Sequence, residues 1–104
     1  MNKGQMTIPP HRLNAFCAKW RVTELSLFGS VLREDFRPDS DIDVLISFDP
    51  GASWTLFDLV QMRDELQEIF GREVDLVSRR GLEASRNGGR RTAILESAEV
   101  IYAS

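Results

Sequence analysis

The sequence predicts an α/β or α+β domain built on one small sheet. Three observations carry this. Helix-period and strand-period patterns follow one another along the chain. Asp41 to Phe48 alternates cleanly, with Ile42, Val44, Ile46 and Phe48 on one face and Asp41, Asp43, Leu45 and Ser47 on the other. A long amphipathic stretch then separates that strand from another apolar one. The chain has 104 residues, 42% of them hydrophobic and 28% charged, which suits a single globular domain over residues 1–104.

Residues 1–8 read as a loose lead-in. Pro9 and Pro10 can open a helix, since its first turn needs no proline N–H, and Leu13, Phe16, Cys17 and Trp20 recur at helical spacing. Glu24 to Phe28 is a short strand stopped by Gly29. Ser30 is placed to cap a short helix over Val31 to Glu34, and Arg37-Pro38-Asp39-Ser40 is a turn. After the strand Asp41 to Phe48, Asp49-Pro50-Gly51 turns the chain. Ser53 can cap the longest helix, Trp54 to Phe70, whose stripe is Leu56, Leu59, Val60, Leu66, Ile69 and Phe70 and whose end is Gly71. Glu73 to Val77 is the third strand. Arg79 to Gly89 is polar and glycine-bearing and reads as a mobile stretch. Arg90 to Ala98 is a last helix, and Val100-Ile101-Tyr102 a short edge strand.

Sixteen acidic against thirteen basic residues give a net charge of -3, which argues against direct nucleic-acid binding. A nucleotide remains compatible, because a metal ion can neutralise phosphate and carboxylates together. The single cysteine, Cys17, excludes an internal disulfide and fits a reducing, cytoplasmic setting; its place in an apolar helical pattern makes it a core residue. There is no signal-peptide pattern at the N-terminus and no apolar stretch of membrane-spanning length.

The chemistry is carried by acids and a glycine-serine pair. Alternation places Asp41 and Asp43 on one strand face. If the third strand pairs beside the second, Asp75 joins them. Two like charges about 4 Å apart repel by ~4 kcal/mol at an effective dielectric near 20, so such a cluster needs protons or cations. Hard oxygen ligands select Mg²⁺ or Mn²⁺, which also bind phosphate oxygens. Gly29 permits a sharp turn and close approach to a ligand, while Ser30 offers a hydroxyl at a helix start, where free N–H groups attract anions. Together they suit phosphoryl or nucleotidyl transfer, which is mainly positioning and charge neutralisation. Asp-x-Asp or Gly-Ser alone is weak. The joined pattern, Gly-Ser then ten residues then Asp-x-Asp, arises by chance in roughly one chain in a thousand at average composition.

Leu27-Phe28-Gly29-Ser30, the ten residues Val31 to Ser40, and Asp41-Ile42-Asp43 together resemble the signature of the DNA polymerase β-like nucleotidyltransferases. Within them, the chain is most similar to the minimal nucleotidyltransferases, small prokaryotic proteins encoded beside HEPN-domain proteins. Val74-Asp75-Leu76-Val77 is similar to the strand bearing that family's third carboxylate. The resemblance implies a small mixed sheet flanked by helices, with ATP as donor and two Mg²⁺ ions (or Mn²⁺). It implies that Asp41 and Asp43 bind both metals, that Asp75 holds the catalytic metal and helps deprotonate the acceptor hydroxyl, and that Gly29 and Ser30 contact phosphates. Arg33 and Ser40 join them as nucleotide-binding candidates. The implied function is an antitoxin that transfers AMP from ATP to a tyrosine hydroxyl of a HEPN toxin encoded nearby. The alternatives are an antitoxin acting by binding alone, and a transferase acting on a small-molecule alcohol.

Other features read as structural. Arg79, Arg80, Arg86, Arg90 and Arg91 form a solvated basic face, Asn87-Gly88-Gly89 a turn, and His11 a structural histidine. Trp54 and Phe57 belong by default to the core stripe.

Overall fold

The computed structural model describes residues 2–3, 6–7, 9–29, 41–84, 86 and 88–103. Two short strands, β1 (Asn2–Lys3) and β2 (Met6–Thr7), pair antiparallel with Asn2 opposite Thr7. The lead-in is therefore a small strand pair rather than a loose segment. A two-residue strand closes its own backbone hydrogen bonds but is too short to show a sequence period.

Helix α1 (Pro10–Lys19) begins at the proline pair and buries Leu13, Phe16 and Cys17, with Trp20 at its C-cap. Strand β3 (Val22–Phe28) is followed by β4 (Ile42–Phe48), α2 (Leu56–Phe70) and β5 (Val74–Ser78). Helices α3 (Arg79–Glu83) and α4 (Gly88–Ser97) lead to β6 (Glu99–Ala103). The four longer strands form one mixed sheet in the order β5-β4-β3-β6. Pairing is antiparallel for β3–β4 and β3–β6 and parallel for β4–β5. Helix α2 is the crossover that a parallel pair requires.

The alternation of β4 sorts its two faces as the sequence predicts. Ile42, Val44 and Ile46 are fully buried against α1 and α2, in a core that includes Leu25, Leu27, Met62 and Leu66. Leu45 faces the other way and packs with Phe28, Leu82 of α3 and Ile94 of α4. The sheet is thus covered on both faces.

Four details differ from the sequence reading. Thr55, not Ser53, caps α2. Its hydroxyl accepts from the Asp58 N–H at 3.2 Å while the Asp58 carboxylate accepts from the Thr55 N–H at 2.9 Å, a reciprocal box that Ser53 has no partner to make. The stripe of α2 also differs in part. Met62 is buried, whereas Leu56 and Val60 are 75% and 42% exposed and Phe57 is 85% exposed. Trp54 precedes the helix and packs edge-on against Trp20 at 5.2 Å. Finally, the stretch read as mobile contains α3 and the start of α4. The Ser78 hydroxyl caps α3 by accepting from Gly81 N–H at 3.1 Å, and an Arg79–Glu83 ion pair of 3.1 Å spans its one turn. The predicted helix over 31–34 and turn over 37–40 lie outside the described residues. No helix among the described residues is long and apolar enough to cross a membrane.

Two tests of this packing follow. Met62 is 0% exposed at the centre of the α2 face. Met62→Ala is expected to cost about 2–5 kcal/mol, read as a lower midpoint in urea unfolding; an unchanged midpoint would contradict the packing. Glu65 joins α2 to α1 by accepting from Lys19 at 2.8 Å and Trp20 Nε1 at 3.1 Å. Burial raises its carboxyl, but those donors together outweigh it and the net position is below the ordinary 4.5. Its folded value being depressed, Glu65 adds stability above pH 4.5, lost as pH falls through the folded value. In Glu65→Gln, that share of the acid dependence of the thermal midpoint should disappear.

Candidate active site

Strand β4 lies inside the sheet, hydrogen-bonded on both sides, so its residues have fixed neighbours. Asp43 is opposite Phe28 in antiparallel β3 and opposite Asp75 in parallel β5. Residues opposite one another in a sheet share a face, so the Asp43 and Asp75 carboxylates stand side by side on the face that carries Phe28 and Leu45. Neighbouring strands lie about 4.8 Å apart, a spacing at which two full charges repel by about 3 kcal/mol at an effective dielectric of 20. Asp43 is half-buried and Asp75 exposed. Asp41 is exposed and sits one residue before the strand, which the Ile42 N–H opens by donating to the Glu73 carbonyl at 2.9 Å. Among the described residues, no three His, Cys, Asp or Glu side chains stand close enough to hold a metal ion. The sheet register brings together the pair Asp43 and Asp75.

Gly29 follows directly on β3, with φ at 77°. Only glycine adopts this left-handed conformation without strain. Glycine is required for a second reason. A Cβ at this position would lie 3.2 Å from the Asp43 Cγ and collide with the carboxylate oxygen Oδ2. The missing side chain therefore makes room for the carboxylate. It leaves backbone, rather than methyl, against the oxygen that a cation or phosphate would approach. Ser30, Arg33 and Ser40 lie outside the described residues.

The chain's other reactive groups are not in this place. Cys17 is buried under α1, and burial pushes its thiol up to about 12, so the thiolate that nucleophilic chemistry needs is scarce near neutral pH. His11 is exposed on α1. Arg79 ties the start of α3 to β3 through Glu24 at 3.6 Å. The larger cavity, about 520 Å³, lies at the opposite ends of β4 and β5. It draws on three separate stretches of chain, so no local pattern signals it.

Residues 12–101 match the family model described as the nucleotidyltransferase domain. This chain belongs to the nucleotidyltransferase family. Among its relatives is the protein adenylyltransferase MntA of Thermococcus cleftensis, 31% identical over 81% of this chain and 77% of the relative. A Methanocaldococcus jannaschii protein named as a candidate protein adenylyltransferase is 43% identical over 58% of this chain. The alignments span 62% and 64% of the lengths of that protein and a second one from the same organism. The fold of this nucleotidyltransferase superposes on a solved candidate minimal nucleotidyltransferase with TM-score 0.65 and 33% identity, covering 86% of this chain and 88% of that one. It also superposes on a chain from a toxin–antitoxin crystal structure with AMP-PNP, with TM-score 0.69 and 16% identity over 90% and 73% of the two chains, which is a likeness of fold. In this nucleotidyltransferase, Gly29, Asp43 and Asp75 are the described residues that the fold gathers at one end of the sheet.

Proposed function

We propose that this nucleotidyltransferase is an ATP-dependent protein adenylyltransferase that moves AMP onto a tyrosine hydroxyl of a partner HEPN toxin and so acts as its antitoxin. The observation that carries the proposal is Asp43 set in register with Asp75 and lodged against the bare backbone of Gly29. The name of the 31% identical relative, a protein adenylyltransferase, supports the reaction type.

The donor set fits a hard divalent cation. Carboxylate oxygens are the preferred ligands of Mg²⁺ and Mn²⁺. Asp43 and Asp75 would hold it. When bound, two such ions supply charge neutralisation of the phosphate oxygens and acidify the acceptor hydroxyl.

The chain's own residues do the rest. Gly29 lets the turn come close to the triphosphate. Ser30, with Arg33 and Ser40, donates to its oxygens. Asp75, on an exposed position, takes the proton of the tyrosine hydroxyl. The tyrosine oxygen forms a bond to the α-phosphorus, the bond from that phosphorus to the bridging oxygen breaks, and pyrophosphate leaves with the electron pair. The AMP ester remains on the partner.

Intact-mass spectrometry of the adjacent gene product, co-expressed with this protein, tests the reading. A mass increase of one or more AMP groups, mapped to tyrosine, is expected. An unmodified partner that is nevertheless neutralised would replace transfer with binding alone. AMP found only on small-molecule alcohols would remove the protein acceptor.

A further inference from the structure

The cavity at the far ends of β4 and β5 has the size of a ligand pocket, about 520 Å³. Its nearest lining residues, Ile46 and Ser78, stand three positions of extended chain from Asp43 and Asp75, about 10 Å, so it is distinct from the carboxylate pair. Phe48, Trp54 and Leu59 give it an apolar wall, and Trp54 meets Phe48 edge-on at 6.4 Å. The Trp54 indole N–H is buried with no acceptor among the described residues. That atom is closed to solvent, so a molecule in the cavity meets the rest of the indole rather than its N–H.

The lining carries two acids and two bases, Asp49, Glu83, Arg79 and Arg80, and they sum to zero. Asp49 is paired with Arg21 at 3.4 Å, and Arg79 with Glu83 at 3.1 Å and Glu24 at 3.6 Å. Arg80 lines the cavity and has no ion pair among the described residues. Arg80, the lining charge without a direct ion pair among the described residues, suits one negative charge on an apolar body. A triphosphate would bring several charges, with two carboxylates nearby to repel them. A guanidinium also matches the two oxygens of a carboxylate or sulfonate in a bidentate fork.

We propose that this cavity is a second ligand site, taking a small amphipathic monoanion whose flat apolar body packs on Trp54 and Phe48 and whose charge meets Arg80. The site is independent of the nucleotide and would let such a compound bind while ATP occupies the carboxylate end.

Anilinonaphthalene sulfonate has this chemistry and serves as the probe, titrated into the full chain with excitation of tryptophan. One saturable site with energy transfer is expected, unaffected by ATP. Arg80→Gln should weaken binding about tenfold, the worth of one charge-assisted contact. Ala52→Glu, which adds bulk and a negative charge to the lining, should abolish it. Phe57→Ser, on the exposed patch of α2, should leave it unchanged. The proposal is overturned if binding does not saturate, if Arg80→Gln leaves affinity unaltered, if Phe57→Ser removes binding, or if ATP displaces the probe. Should Ala52→Glu fail to fold, Arg80→Gln at an exposed position decides the matter alone.

Discussion

Asp43→Asn is expected to lower AMP transfer by at least about a hundred-fold, because a metal-binding carboxylate supplies several kcal/mol of charge stabilisation and each 1.36 kcal/mol is tenfold in rate. The substitution keeps the shape of the side chain and removes its charge. Nothing in the backbone should change, since β4 is held by ladder hydrogen bonds to β3 and β5 rather than by this side chain. Removing one of two neighbouring like charges also relieves repulsion. The thermal midpoint should therefore stay within a few degrees of the parent, where about 1 kcal/mol corresponds to roughly 4–8 °C for a domain of this size. Incorporation of labelled AMP into the partner and a melting curve on the same sample give both values. Full transfer by Asp43→Asn would remove the carboxylate from the mechanism. Loss of transfer with a collapsed midpoint would point to folding instead.

Gly29→Ala should have the second large effect, on stability and transfer together. A φ of 77° costs an L-residue roughly 1–2 kcal/mol, and the new methyl meets the Asp43 carboxylate. Either the turn or the carboxylate must move, and each displaces a group the reaction needs. The two causes can be separated. In an Asp43→Gly background the colliding atoms are gone, so only the backbone strain should remain. A double-mutant cycle should then show a coupling energy above about 0.5 kcal/mol. Strictly additive effects would mean that the contact with Asp43 plays no part.

How far this arrangement was legible in the sequence depends on whether the information was local. The faces of β4 were readable, because alternation is a property of one strand and Ile42, Val44 and Ile46 are buried as it requires. The long helix between the second and third strands, and the last helix followed by the edge strand at 100–102, were also readable. The pairing of Asp43 with Asp75 was only conditional, since register is set between strands separated by a whole helix. The cap of α2 had a local signal that the reading passed over: Thr55 is followed three residues later by Asp58, whereas Ser53 has no such acid. Val60 and Met62 stand about 200° apart on the helix, so a stripe that takes in Val60 leaves out Met62, and the burial is the reverse. Helix α3 was hidden because its sequence is polar and contains a glycine. Its one buried anchor, Leu82, acts through contact with Phe28, Leu45 and Ile94 in other elements.

The strand order has a mechanical consequence for the two carboxylates. Asp43 rides on an inner strand clamped from both sides, whereas Asp75 rides on β5, an edge with a single neighbour. Among the described residues one acid is thus held between two strands and the other beside one. The separation between them can be tuned by whatever lies against the free edge of β5, without disturbing the half of the site that Gly29 and Asp43 define.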